Sequence, residues 1–151
     1  YFGTEGEPAL LSDKGIHRVT HAFDARGNEI EERYFGTGGK PVLNSDGGYH
    51  RLASAFDARG NEIEQRYFGT GGEPVLRNDM NVHRITRAYD ARGNVIEIRY
   101  FGTADKPLTV DPFQAARIQI FYEAPNIRIG AIYYDTDGTI IAKWERQPSA
   151  D

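Results

Sequence analysis

The sequence predicts an all-β fold: tandem 33-residue units of β-hairpin or three-strand type that form a solenoid or an extended twisted sheet, closed by an atypical C-terminal repeat. Three observations lead there. The opening phrase Tyr1-Phe2-Gly3-Thr4 starts again at Tyr34, Tyr67 and Tyr100, and a fifth start stands at Tyr133-Tyr134-Asp135-Thr136. A fixed period of this size marks a repeat array. Within the units an Asp-x-x-Gly phrase, beginning at Asp24, Asp57 and Asp90, separates two stretches in which apolar and polar residues alternate. Alternation with period two is the signature of strands. Helices are the competing reading, because ankyrin units share the period. The ankyrin Thr-Pro-Leu-His signature is absent, glycine interrupts every stretch, and β-branched and aromatic residues dominate the candidate strands. Residues 1–151 are therefore read as one repeat domain, with units at 1–33, 34–66, 67–99 and 100–132 and a partial unit at 133–151.

The second unit gives the elements in order. His50 to Phe56 is the first strand. Asp57-Ala58-Arg59-Gly60 is a tight turn: the Asp side chain can accept a backbone N–H two residues on, and glycine takes positive φ without a Cβ clash. Asn61 to Phe68 is the second strand, so the pair reads as a hairpin closed by a type I turn with a G1 bulge. Gly69-Thr70-Gly71-Gly72 takes the same turn role and is written Asp135-Thr136-Asp137-Gly138 in the fifth unit. Glu73-Pro74-Val75-Leu76 follows as a short third strand, placed at an edge because proline has no N–H to give a ladder. Arg77 to Asn81 is a polar linker. In the third unit the alternation puts Ile85, Tyr89, Ile96, Ile98 and Tyr100 on one face and Arg84, Thr86, Glu97 and Arg99 on the other.

Aromatic residues recur at fixed places: Tyr1, Tyr34, Tyr67, Tyr100 and Tyr133, each followed by Phe or Tyr, and Phe23, Phe56, Tyr89 and Tyr122. Adjacent Tyr and Phe positions allow one inward and one outward row. The favoured role is a ladder of core residues between neighbouring units; a platform for sugar rings or peptides is the alternative.

The pattern degrades from Asp111. Pro112-Phe113-Gln114-Ala115-Ala116 replaces the polar linker and the histidine, and one helical turn is expected there. Glu123-Ala124-Pro125-Asn126 replaces the Asp-x-x-Gly turn, which should shift so that Pro125 becomes its second residue. The strands turn more apolar and the last unit ends in Trp144 and a polar tail. Residues from Asp111 are read as a C-terminal cap, with a natural C-terminus near Asp151, because terminal repeats must close an exposed end.

The composition, 39% hydrophobic and 26% charged, is that of a folded protein, and the net charge is −4 with no basic run. Nucleic acid is thus excluded as the main partner, since phosphate binding needs clustered cations. No apolar run approaches a membrane span. A chain that opens at a unit boundary leaves room for upstream segments. With no cysteine there is neither a disulfide nor a thiolate metal site.

The candidate site residues are two recurring rows. Arg18, Arg51, Arg84 and Arg117 keep one position in every unit, and His17, His50 and His83 precede the first three. The arginines read as cross-strand partners of Glu31, Glu64 and Glu97, or as a spaced cationic row for an acidic polymer or protein. The histidines read as half-buried donors to linker carbonyls. A metal ladder is disfavoured, because equivalent residues stand about 5–10 Å apart whereas zinc ligands converge within about 2.1 Å of one ion. Asp13, Asp46 and Asp79 fall in linkers and Asp24, Asp57 and Asp90 in turns, where capping explains them better than calcium, which needs six to eight oxygens around one ion. No nucleophile motif is present, no cofactor is expected, and a non-enzyme is predicted.

The phrase Phe/Tyr-Asp-Ala-Arg-Gly-Asn followed by Ile-Glu, at 23–31, 56–64 and 89–97, resembles the Tyr-Asp repeat of bacterial RHS/YD proteins. Tyr-Phe-Gly-Thr-x-Gly-x-Pro is similar to the Tyr-Phe-Asp-x-x-Gly-x-Pro element that accompanies it, with Gly3, Gly36, Gly69 and Gly102 in place of the usual Asp. The resemblance implies β-structured shells, stalks and envelope or surface scaffolds without catalytic residues. The expected function is a scaffold or binding module of a larger bacterial protein, with an envelope, surface or secreted location favoured. A ligand-sensing domain on an upstream enzyme and a cell-wall or glycan-binding module are the alternatives. Near-identical units and an open edge also predict end-to-end self-association.

Overall fold

The computed structural model describes residues 15–148. They form one open antiparallel sheet of nine strands that follow one another in chain order. The strands are β1 (Arg18–Phe23), β2 (Glu29–Phe35), β3 (Arg51–Phe56), β4 (Glu62–Phe68), β5 (Arg84–Tyr89), β6 (Val95–Phe101), β7 (Arg117–Ala124), β8 (Ile127–Tyr134) and β9 (Ile140–Glu145). Helical geometry among the described residues is confined to a 3-10 turn at Thr37–Gly39. Among the described residues no helix is long and apolar enough to cross a membrane. Tyr1, Phe2, Gly3 and Asp13 lie outside the described residues.

The Asp-x-x-Gly phrases close the hairpins β1–β2, β3–β4 and β5–β6. Asp57 Oδ1 accepts the backbone N–H of Arg59 and of Asn61, both at 2.9 Å, and the Asn61 amide donates to Oδ2 at 3.1 Å. Gly60 sits at φ +84°, which only glycine adopts without strain. The register then slips by one residue between Ala55 and Phe56, leaving Ile63 as the extra residue of a bulge. The same slip makes Ile96 unpaired and sets Val95, not Ile96, opposite Tyr89, which corrects the expected face of Ile96. A bulge reverses the parity of every residue between it and the turn. Pro125 and Asn126 join β7 to β8, with Asn126 at φ +63°, so Pro125 does take the second turn position.

Two expected elements are smaller than the sequence suggests. The third strand shrinks to one bridge per unit, Phe35 to Pro41, Phe68 to Pro74 and Phe101 to Pro107, each flanked by two backbone hydrogen bonds, because the chain then turns away to bond within the linker, as Arg77 does with Val82. The helical turn expected at 112–116 is instead a tight loop pinned by a bridge between Val110 and Ala115, whose two backbone hydrogen bonds leave no helical ladder.

The core lies on one face of the sheet, at the end of the strands away from the Asp turns. There the linkers fold back. Tyr67 and Val82 are wholly buried with Ile85, Tyr49 and Val110, and Tyr34, Leu52, Tyr100 and Leu108 pack around them. The adjacent row, Phe35, Phe68 and Phe101, is paired with Arg18, Arg51 and Arg84 and so stands on the opposite face. The inward and outward aromatic rows are thus both realised. The second turn uses Gly36, Gly69 and Gly102 for a reason of space. A Cβ built on them would stand 2.9 Å from Val42 Cγ1, 3.1 Å from Val75 Cγ1 and 3.0 Å from Leu108 Cδ2, respectively. In the fifth unit, where the chain runs straight on into β9, Asp135 occupies this position and its carbonyl accepts the Gly138 N–H at 3.1 Å.

Candidate binding face

The face opposite the core carries the arginine row. Register places Arg33 directly across from Arg51, Arg66 across from Arg84 and Arg99 across from Arg117. Like charges in that position repel. One glutamate two residues earlier resolves each clash. Glu64 holds Arg66 Nε at 2.7 Å and Arg84 at 3.3 Å; Glu31 holds Arg33 at 2.6 Å and Arg51 at 3.4 Å; Glu97 holds Arg99 at 2.7 Å and Arg117 at 3.4 Å. The second guanidinium of each trio also lies over an aromatic ring. Arg51 is 3.9 Å from the Phe68 centroid, Arg84 3.8 Å from Phe101 and Arg117 3.8 Å from Tyr134, while Arg18 stands 4.7 Å from Phe35. Such contacts contribute about 0.5–1 kcal/mol at exposed sites and more when desolvated. The Glu31 carboxyl is held below its usual range, chiefly by the Arg33 hydrogen bond and further by Arg51.

The two arginine rows differ in what they offer. Arg51, Arg84 and Arg117 are tucked between ring and carboxylate, with side chains 17–28% exposed, whereas Arg33, Arg66 and Arg99 are 40–48% exposed. The trios around Glu31 and Glu97 each keep one positive charge in excess, since two cations share one anion, whereas in the middle trio Asp105 meets Arg84 at 3.0 Å as a second anion. The predicted row is therefore the packed one, and the accessible cations are neighbours that the sequence reading did not single out. Their signal was present as the recurring Glu-x-Arg of β2, β4 and β6.

The histidines clip linkers to strands. His50 Nδ1 donates to the Tyr34 carbonyl at 2.6 Å and His83 Nδ1 to the Tyr67 carbonyl at 2.8 Å. The same carbonyls accept the N–H of Val42 and Val75. Each ring meets the outward phenylalanine edge-on, Phe35 at 5.2 Å and Phe68 at 5.4 Å. The His17 backbone N–H donates to the Phe35 carbonyl at 2.8 Å, the counterpart of the bonds from His50 to Phe68 and from His83 to Phe101.

A further link joins the turns. Arg26 donates to the Ala58 carbonyl at 2.5 Å and Arg59 to the Ala91 carbonyl at 2.8 Å. This role was hidden in the sequence, because the contact spans 32 residues between two exposed turns. On the core face, at the end of β2 away from these turns, burial pushes the Tyr34 hydroxyl upward in pKa, and its hydrogen bond to Glu32 adds to the shift. Among the described residues, His21, Glu29 and Glu32 are the group whose ligand atoms could converge on a metal ion.

No protein-family model matches the chain, and no curated protein is significantly similar to it in sequence.

Proposed function

We propose that this chain is a non-enzymatic repeat scaffold or binding module belonging to a larger bacterial protein of the envelope or cell surface. The observation that supports the reading is that successive hairpins are joined by one recurring set of contacts. Arg51 to Glu31, Arg84 to Glu64 and Arg117 to Glu97 bind strand to strand, while Arg26 and Arg59 bind turn to turn. An array joined in this way can be lengthened without redesign, which is what a spacer requires. The likeness to YD-type units points the same way. Deleting residues 67–99, one full unit, tests it: the scaffold reading expects a folded chain shorter by two strand spacings, about 10 Å, in small-angle scattering. Loss of cooperative folding on that deletion would sink it.

The excess positive charge of the trios at Arg33 and Arg99, with the exposed Arg66 between them, favours an acidic protein or polymer as the partner. The test is retention of envelope proteins and acidic glycans by the intact chain against an Arg33/Arg66/Arg99→Gln variant. Equal retention would remove this face from the reading. A glycan platform would draw on exposed tyrosines, whereas Tyr67 is buried in the core. End-to-end self-association belongs to the same proposal, because the outer edge of β9 pairs with no strand among the described residues.

A further inference from the structure

The bulge at Ile30 has a chemical consequence in the first described hairpin. In a regular strand, residues three apart point to opposite faces. Here the register slips between Ala22 and Phe23, so Glu29 pairs with Phe23 while Glu32 pairs with His21. Both carboxylates and the imidazole consequently share the core face of the sheet. His21 Nδ1 lies 2.7 Å from Glu29 Oε1 and 3.8 Å from Glu32 Oε2, and all three ligand atoms fall within 4.8 Å of one another.

We propose that His21, Glu29 and Glu32 bind one divalent transition-metal ion of the zinc type. Bonds of about 2.0–2.2 Å in a tetrahedron set ligand atoms about 3.3–3.6 Å apart, and the two measured separations bracket that spacing. The residues keep their side chains partly open, 41% for His21, 40% for Glu29 and 21% for Glu32, which leaves the fourth position to water. One imidazole with two carboxylates suits zinc and its neighbours and is a poor match for calcium, which takes six to eight oxygens. Glu32 is also held from behind: the Tyr34 hydroxyl donates to its Oε1, which turns Oε2 toward His21. Outer hydrogen bonds of this kind orient metal ligands.

Charge and internal comparison agree. Glu31, Glu64 and Glu97 are neutralised by arginines on the other face, and Glu62 meets Arg87 at 3.1 Å. No arginine or lysine bridge is formed by Glu29 or Glu32 among the described residues, and their only ion-pair partner there is His21. At the corresponding positions the next unit has Ser54, Glu62 and Gln65, and the one after has Arg87, Val95 and Ile98. The turns, the aromatic rows and the Arg–Glu–Arg trios stay nearly constant across these units while this trio changes, so the fold itself does not require it.

Zinc titration of the intact chain by calorimetry, with calcium as the comparison ion, tests the proposal. One zinc ion per chain at this site is expected, weakened at least about tenfold in both His21→Gln and Glu32→Gln, with calcium binding weaker than zinc. Cobalt(II) should shift the His21 ring protons in the NMR spectrum of the unaltered protein, which keeps the test independent of variant folding. The triple variant Ser54→His/Gln65→Glu/Arg87→Gln, which rebuilds the trio around Glu62 and removes the arginine that pairs with it, should raise the stoichiometry from one to two. Zinc binding undiminished in His21→Gln, calcium binding as tight as zinc, or unshifted His21 ring protons would each overturn it.

Discussion

Arg66 and Arg84 stand directly opposite one another on β4 and β5, and Glu64 holds both. The same opposition recurs at Arg33 with Arg51 and at Arg99 with Arg117. The glutamate therefore relieves a repulsion that the sheet's own register creates.

Glu64→Gln should destabilise the protein by about 1 kcal/mol, above the usual yield of one surface ion pair because two cations lose their shared anion. Urea unfolding at low salt and at about 1 M NaCl checks this, since screening should shrink the difference. A loss that salt does not reduce would argue against repulsion as its cause.

Gly36→Ala should cost about 1–3 kcal/mol, because its Cβ would stand 2.9 Å from Val42 Cγ1. Pairing it with Val42→Ala should recover part of that cost, giving a non-additive double-mutant cycle. Strict additivity would show that the contact is not the constraint.

His83→Ala should lower stability by about 2–4 kcal/mol, through the lost bond to the Tyr67 carbonyl and the space left beside Phe68. Hydrogen exchange is the sharper readout. The Val75 amide, which shares that carbonyl, should lose more protection than amides of β7.

The turn aspartates predict the acid limb of stability. Asp24 and Asp90 are held below the usual carboxylate range chiefly by the side-chain amides of Asn28 and Asn94. Asp57 is held there first by the backbone N–H of Asn61, and Asp137 by the Thr139 side chain. A depressed folded-state pKa contributes stability that is present above the unfolded value, about 3.9, and is lost as pH falls through the folded value. The unfolding midpoint should therefore drop below about pH 4, and Asp57→Asn should flatten that drop.

The sequence reading located the strands, the Asp-x-x-Gly turns and the two aromatic rows because period-two alternation and turn chemistry are local signals. It paired the arginine row with Glu31, Glu64 and Glu97, but it expected the histidines at linker carbonyls, whereas His50 and His83 bond the Tyr34 and Tyr67 carbonyls of β2 and β4. It overstated the strand at Pro74, where the chain leaves β4 to pair Arg77 with Val82, and the helical turn at Pro112, where bridging between Val110 and Ala115 wins. The Arg59 link to Ala91 and the meeting of His21 with Glu29 and Glu32 were invisible. The first depends on how neighbouring hairpins are placed, and the second on a bulge that shifts parity by one residue.

Strand order that follows chain order fixes how the molecule answers to tension. Pulled between β1 and β9, the force crosses the sheet, so the ladders are loaded in series and open one after another like a zipper. Strands sheared along their length would instead resist together. A 33-residue unit occupies two strand spacings, about 10 Å, yet stretches to about 110 Å once freed. A protein tethered through such a segment would carry a reel of spare length, paid out hairpin by hairpin and rewound when the pull stops.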